Sequence, residues 1–94
     1  MKQIIAKVTN QGTVNFIPSQ KAEGGQLAKC VIRLRELGSS YADEYVCTML
    51  GNLAQCEFHE GDVVAASLRF QVHEANGNLY QDIVINDVVK LNNK

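Results

Sequence analysis

Glu44-Tyr45-Val46-Cys47-Thr48-Met49-Leu50 reads as a β-strand, and it runs directly into Gly51-Asn52-Leu53-Ala54-Gln55-Cys56, enough chain for one or two helical turns. A Gly61-Asp62 turn follows. Beyond it Val64, Ala66, Leu68, Phe70 and Val72 form an unbroken period-two apolar series, separated by Ala65, Ser67, Arg69, Gln71 and His73. Side chains alternate across a strand, so this is one long strand with an apolar face. Asn76-Gly77-Asn78 is hairpin chemistry. Leu79 to Val89 supplies the last strand, with Ile83 and Ile85 inward and Tyr80, Asp82 and Val84 outward. Strand, short helix, strand, hairpin, strand is the closing half of a small five-stranded Greek-key barrel.

The first half of the chain fits the same plan. Lys2 to Thr9 is a strand with Ile4, Ala6 and Val8 on one face and Ile5 and Lys7 on the other. Asn10-Gln11-Gly12 offers a turn or a bend, after which Thr13 to Ile17 extends or resumes the strand; a mid-strand Gly is where a barrel strand bends at least cost. Pro18 to Gln26 and Gly38 to Asp43 are polar loops. Between them, Leu27 to Leu37 alternates, with Cys30, Ile32 and Leu34 on one side and Lys29, Val31, Arg33 and Arg35 on the other. On the helical segment Leu53 and Cys56 are three apart, so one face presents both as a plug for the barrel end, joined by Phe58. The expected fold is all-β: one OB-fold domain over 1–94, a five-stranded Greek-key barrel with a short helix between its third and fourth strands, and a polar tail at 91–94. A small open β-sandwich is the structural rival. For the third strand, Tyr45-Cys47-Met49 and Val46-Thr48-Leu50 both suit an inner set.

Ninety-four residues at 46% apolar composition make one globular domain. A chain of this length buries roughly 60 to 70% of its unfolded surface, which leaves little room for a large enclosed active site. No apolar run reaches membrane-spanning length and no signal-peptide series opens the chain, so a soluble cytoplasmic protein is expected. Three cysteines, Cys30, Cys47 and Cys56, cannot all pair within one chain. They read as reduced thiols acting as small hydrophobes. Net charge is −1, from 9 Lys plus Arg against 10 Asp plus Glu. A near-neutral chain binds a polyanion only if its cations share a face, so distribution counts more than sum.

The stretch Glu44 to Val89 resembles bacterial single-stranded DNA-binding proteins of the OB-fold type. The resemblance is carried by the strand entering Leu50-Gly51-Asn52-Leu53-Ala54, by His59-Glu60-Gly61-Asp62-Val63, and by the hairpin Asn76-Gly77-Asn78-Leu79-Tyr80. It implies a long hairpin of the last two strands, basic and aromatic residues on the outer face, and assembly into an oligomer. That family often stacks bases on indole rings, whereas this chain contains no Trp.

The outward cations are Lys29, Arg33 and Arg35 on the second strand and Arg69 on the fourth. Lysine and arginine along one groove track a phosphodiester backbone and release its counterions; the plainer account is a solvated strand face. Tyr45 and Tyr80 are the outward rings for base stacking, which is worth about 1–3 kcal/mol per base. Half-buried rings in cross-strand pairs are their plainer account. Phe16 and the loop residue Tyr41 follow behind, Lys21 is a weaker cation candidate, and Phe70 belongs to the apolar series and hence to the core. Cys56-x-x-His59, with Cys47 and His73 elsewhere, is half a zinc pattern without its second pair, so no metal is expected. No nucleophile with a base, phosphate-binding loop or paired carboxylates appears, and the acids sit mostly beside turns.

The chain therefore reads as a non-catalytic module that binds single-stranded nucleic acid, DNA more than RNA, with low sequence specificity, and needs no small-molecule cofactor. The alternative is a protein-interaction or assembly module that uses the barrel to form a homo-oligomer, with Met49 and Val84 as exposed apolar groups and edge strands pairing between copies.

Overall fold

A computed structural model describes residues 1–18, 23–38 and 42–91, with only the backbone described at Glu23. Lys21, Tyr41 and residues 92–94 of the polar tail lie outside the described residues. Six strands build one sheet: β1 (Lys2–Gln11), β2 (Asn15–Pro18), β3 (Gln26–Glu36), β4 (Glu44–Leu50), β5 (Val63–Ala75) and β6 (Asn78–Lys90). Their order is β1-β5-β6-β4-β3-β2, and β1 also pairs with β3, which closes five strands into a ring and leaves β2 attached to β3. All pairs are antiparallel except β4 and β6, which meet in parallel at Thr48 and Val84. Closure excludes the open sandwich.

β1 and β2 are the bent first strand expected from Gly12. The β1–β3 register slips between Val8 and Asn10, and pairing resumes on β2 at Asn15–Lys29. Gly12 donates its amide to the Val31 carbonyl at 2.8 Å. A Cβ at this position would sit 3.2 Å from that same oxygen, so a larger residue would loosen the bend.

The core holds Ile4, Ala6 and Val8 from β1, Cys30, Ile32 and Leu34 from β3, Val64, Ala66 and Leu68 from β5, and Ile85 from β6. On β4 the inner set is Tyr45, Cys47 and Met49, while Val46 faces solvent. Met49 is fully buried and so supplies no exposed surface for assembly. Burial pushes the Cys47 thiol up to about 11, which keeps it protonated at neutral pH.

The segment between β4 and β5 is shorter than a helix. Leu53–Gln55 makes a single 3-10 turn, and Ala54 rather than Cys56 is its buried residue. Cys56 already has extended dihedrals (φ −72°, ψ 133°) and its side chain is exposed. Leu53 and Phe58 pack half-buried against the core, as the plug requires.

The larger departure concerns β5. Val64, Ala66 and Leu68 are buried as expected, but Phe70 is 41% and Val72 68% exposed. The β5–β6 ladder continues from Phe70–Ile83 out to Ala75–Asn78, well past the last core pair, Leu68–Ile85. Asn76 (φ 53°) and Gly77 (φ 78°) close it with the positive angles of a tight hairpin turn. The outer half of this hairpin is an arm projecting from the barrel. The radius of gyration, 14.0 Å, accordingly exceeds the roughly 12 Å expected for a compact chain of this length.

Asp62 departs from the solvated acids expected at turns, since it is buried. Its Oδ2 accepts the His59 amide at 2.8 Å and lies 3.5 Å from Lys90 Nζ. The turn is fastened to β1 by Val8 N–H to the Asp62 carbonyl (2.7 Å) and Gly61 N–H to the Val8 carbonyl (2.8 Å). The His59 amide, helped by Lys90, holds the Asp62 carboxyl below its ordinary range. A depressed folded-state pKa adds stability above the unfolded value of about 3.9, and that stability is lost as pH falls through the folded value. Asp62→Asn is therefore expected to unfold at lower urea than the parent at pH 7, with the gap closing as pH falls through the lowered folded-state value. Urea midpoints that differ equally at pH 7 and in acid would contradict this account of the clasp.

Candidate nucleic-acid interface

Strand order places the outward residues of β5, β6, β4 and β3 on one continuous outer surface. At the β3 end, Lys29, Val31, Arg33 and Arg35 alternate with the buried Cys30, Ile32 and Leu34, as the sequence predicts. Lys29 is half-buried, opposite Asn15 on one side and Leu50 on the other. Arg33 and Arg35 are exposed, and Arg35 stands beside Lys7 of β1 in the ladder, so two cations are adjacent there. Arg33 Nη2 is 2.9 Å from Glu44 Oε1 on β4. Both side chains remain about half in solvent, where such a pair contributes about 0–1 kcal/mol and an incoming phosphate can displace the carboxylate.

The β5–β6 arm supplies the other end. Cross-strand pairing puts Arg69, Gln71 and His73 of β5 on the same face as Val84, Asp82 and Tyr80 of β6. Arg69 is exposed, and with the Gln71 amide oriented toward it the guanidinium donates to the amide oxygen from Nε (3.1 Å) and Nη2 (2.7 Å). Tyr80 is 46% exposed. The reverse face of the arm carries Phe70, Val72 and Leu79, all exposed.

Tyr45 is not an outward ring. It is only 8% exposed, because the inner set of β4 is the one that contains it. Lys2 Nζ stands 5.8 Å from the ring centroid, and the buried hydroxyl makes no hydrogen bond among the described residues. The sequence expectation thus joins Lys29, Arg33, Arg35, Arg69 and Tyr80 to one surface and loses Tyr45 to the core. Phe16 is exposed on the separate strand β2. Phe70 is a surface ring rather than the core residue the sequence predicts, although the hairpin register could have revealed this, and His73 is on the polar face as predicted but is not counted there as a ring. Counting back from Asn76-Gly77 pairs Val72 with Gln81 and Glu74 with Leu79. That inward row therefore turns polar beyond Phe70–Ile83 and leaves the core.

The cysteines and histidines of the half zinc pattern are spread over the core, the 3-10 turn and the arm. Among the described residues no three His, Cys, Asp or Glu side chains are grouped to hold a metal. No helix of the described residues is long and apolar enough to cross a membrane.

Comparison with protein-family models finds no match, and comparison with curated proteins finds none either. Among solved structures, the chain is similar to the second OB-fold domain of replication protein A from Methanococcus maripaludis. The TM-score is 0.68 at 15% identity, covering 98% of this chain and 84% of that one. The likeness establishes the OB-fold.

An unsatisfied buried hydroxyl costs about 1–3 kcal/mol. The hydroxyl also holds the Lys2 ammonium above its ordinary range, so Tyr45→Phe should change the unfolding free energy by less than about 1 kcal/mol. It should also leave any oligonucleotide affinity unchanged, since the ring is in the core. A loss of affinity in this variant would return Tyr45 to the interface.

Proposed function

We infer that this chain is a non-catalytic OB-fold module that binds single-stranded nucleic acid, DNA in the first instance, with low sequence preference. The observation that carries the reading is the outer surface of β3, β4, β6 and β5. Cations on β3 (Lys29, Arg33, Arg35) and on the arm (Arg69) share it with the exposed ring of Tyr80. Cations along a groove meet phosphates, and a ring with a free face stacks a base of any identity, which gives affinity without sequence readout. The neighbouring replication protein A domain shares the barrel, and the motifs from Glu44 to Val89 resemble those of single-stranded DNA-binding proteins.

Fluorescence anisotropy of a labelled mixed-sequence single strand, at about 50 and 200 mM salt, tests this reading. Four phosphate contacts at a slope of about −0.7 each give a log–log salt slope of roughly −2 to −3. Binding should be micromolar or tighter at low salt and weaker for duplex, and Arg33→Glu with Arg69→Glu should abolish it. Affinity indifferent to salt would sink the phosphate groove.

A second reading, self-association, is favoured by a different surface. The outer faces of β1, β5 and β6 form a shallow depression of about 500 Å³, lined by Gln3, Ile5, Ala65, Ser67, Asp87 and Val89. Exposed Ile5 and Val89 flank its small-residue floor. Apolar groups grouped on one face mark an interaction surface. If copies pair there, Ile5→Glu should convert an oligomer to monomer in light scattering while leaving oligonucleotide binding intact. A wild-type chain that stays monomeric at high concentration would remove this reading.

A further inference from the structure

The arm carries a second ring beside Tyr80. His73 and Tyr80 are direct cross-strand partners, with ring centroids 5.3 Å apart and planes inclined by 22°. His73 Nδ1 lies 3.0 Å from Asp82 Oδ2, with both side chains about half exposed. The stack, the ion pair and the Arg69–Gln71 contact all lie on one face of the outer half of the hairpin, from which, among the described residues, only Ile83 on the opposite face packs against the barrel core. A tyrosine in solvent would otherwise sample several rotamers. Here one ring packs on the other and Asp82 fixes the imidazole in plane, so the aromatic surface is set before any ligand arrives.

We propose that His73 and Tyr80 form a two-ring platform for one base of a single strand, and that protonation of His73 sets the charge of this platform. The inference rests on the strand-binding reading given above. With the imidazole neutral, Nδ1–H donates to Asp82 and the pair carries the full negative charge of the carboxylate, close to where the phosphodiester must run. With the imidazole protonated, the pair is neutral and the Arg69 guanidinium acts on the phosphate unopposed. Imidazole is the side chain whose charge changes most readily near neutral pH, and protonation of His73 adds one positive charge to the face.

The charged surroundings are few. From β6 the platform meets Asp82 and Tyr80, and on β5 its neighbours on the same face are Arg69 and Gln71. Glu74 follows His73 in sequence but points to the opposite face of the arm, with Leu79. On β4 the outward carboxylate is Glu44, which Arg33 already holds. His59, the second histidine, is remote from the arm, in the turn beside Asp62.

Oligonucleotide anisotropy at pH 5.5 and pH 8.0 tests the assignment, with the folded state of each variant checked by circular dichroism. At about 50 mM salt one additional charge corresponds to roughly an eightfold gain in affinity, with the salt slope steeper by about 0.7. Wild type should show that gain at pH 5.5. His73→Phe keeps a ring but no titration, so it should bind at pH 8.0 at least as well as wild type and show no response to pH. His73→Gln should lose both the response and part of the affinity, whereas His59→Gln should keep the wild-type response. Equal wild-type affinity at the two pH values, or a full response surviving in His73→Phe, overturns the proposal while the strand-binding reading stands. No binding at either pH overturns both.

Discussion

β1 has to serve two neighbours at once, and the barrel exists because it can. Lys2 to Lys7 pair with β5, while Ala6 to Gln11 pair with β3, so the two ladders overlap only at Ala6 and Lys7. A strand shared in this way must bend away from one partner as it joins the other, and the slip between Val8 and Asn10 is where it does so. Sizes follow from the same constraint. Ala6 lies opposite Val64 and Ile4 opposite Ala66, so large and small side chains alternate across a narrow interior. The Asp62 turn then clamps the middle of β1 through Val8.

A closed ring of this size sets how much of each strand can be buried, and β5 and β6 are longer than that limit. Their surplus length stays paired with itself because the Asn76-Gly77 turn matches the right-handed twist of its strands. The result is a ribbon with two solvated faces. The same mismatch that takes Phe70 and Val72 out of the core keeps Tyr80 and His73 available. At the β3 end the cations sit over the buried row of Cys30, Ile32 and Leu34, on a rigid base. The candidate surface therefore joins a fixed part to a projecting one.

The fold was legible wherever alternation had both a buried and a solvated side. β3 reads correctly in its facing from Lys29 to Arg35, with its bounds one residue off at each end, and β4 reads correctly from Glu44 to Leu50 although its inner face stays open. Its facing stayed open because Tyr45, Cys47 and Met49 are no more apolar than Val46, Thr48 and Leu50. The choice comes from packing: only tertiary closure decides which row meets the core, and it is the row of Tyr45, Cys47 and Met49. Phe70 illustrates the opposite failure. Its period was right and its face was right, but periodicity carries no information on where a core ends. Cys56 was misplaced because a helical spacing was applied to a segment that leaves the helix at that residue. The cations of the candidate surface were legible because they alternate with an apolar row, whereas the place of His73 against Tyr80 needed the cross-strand register.

Separating the arm from the core has an evolutionary consequence. A substitution in a packed interior is screened first for whether the chain still folds, and most large changes fail there. Positions 69 to 82 bury little in the core, so most variation there passes that screen. Two adjoining halves of the same strands are thus inherited under different rules. The inner half is constrained as scaffold, and the outer half can change its surface chemistry without passing through an unstable intermediate.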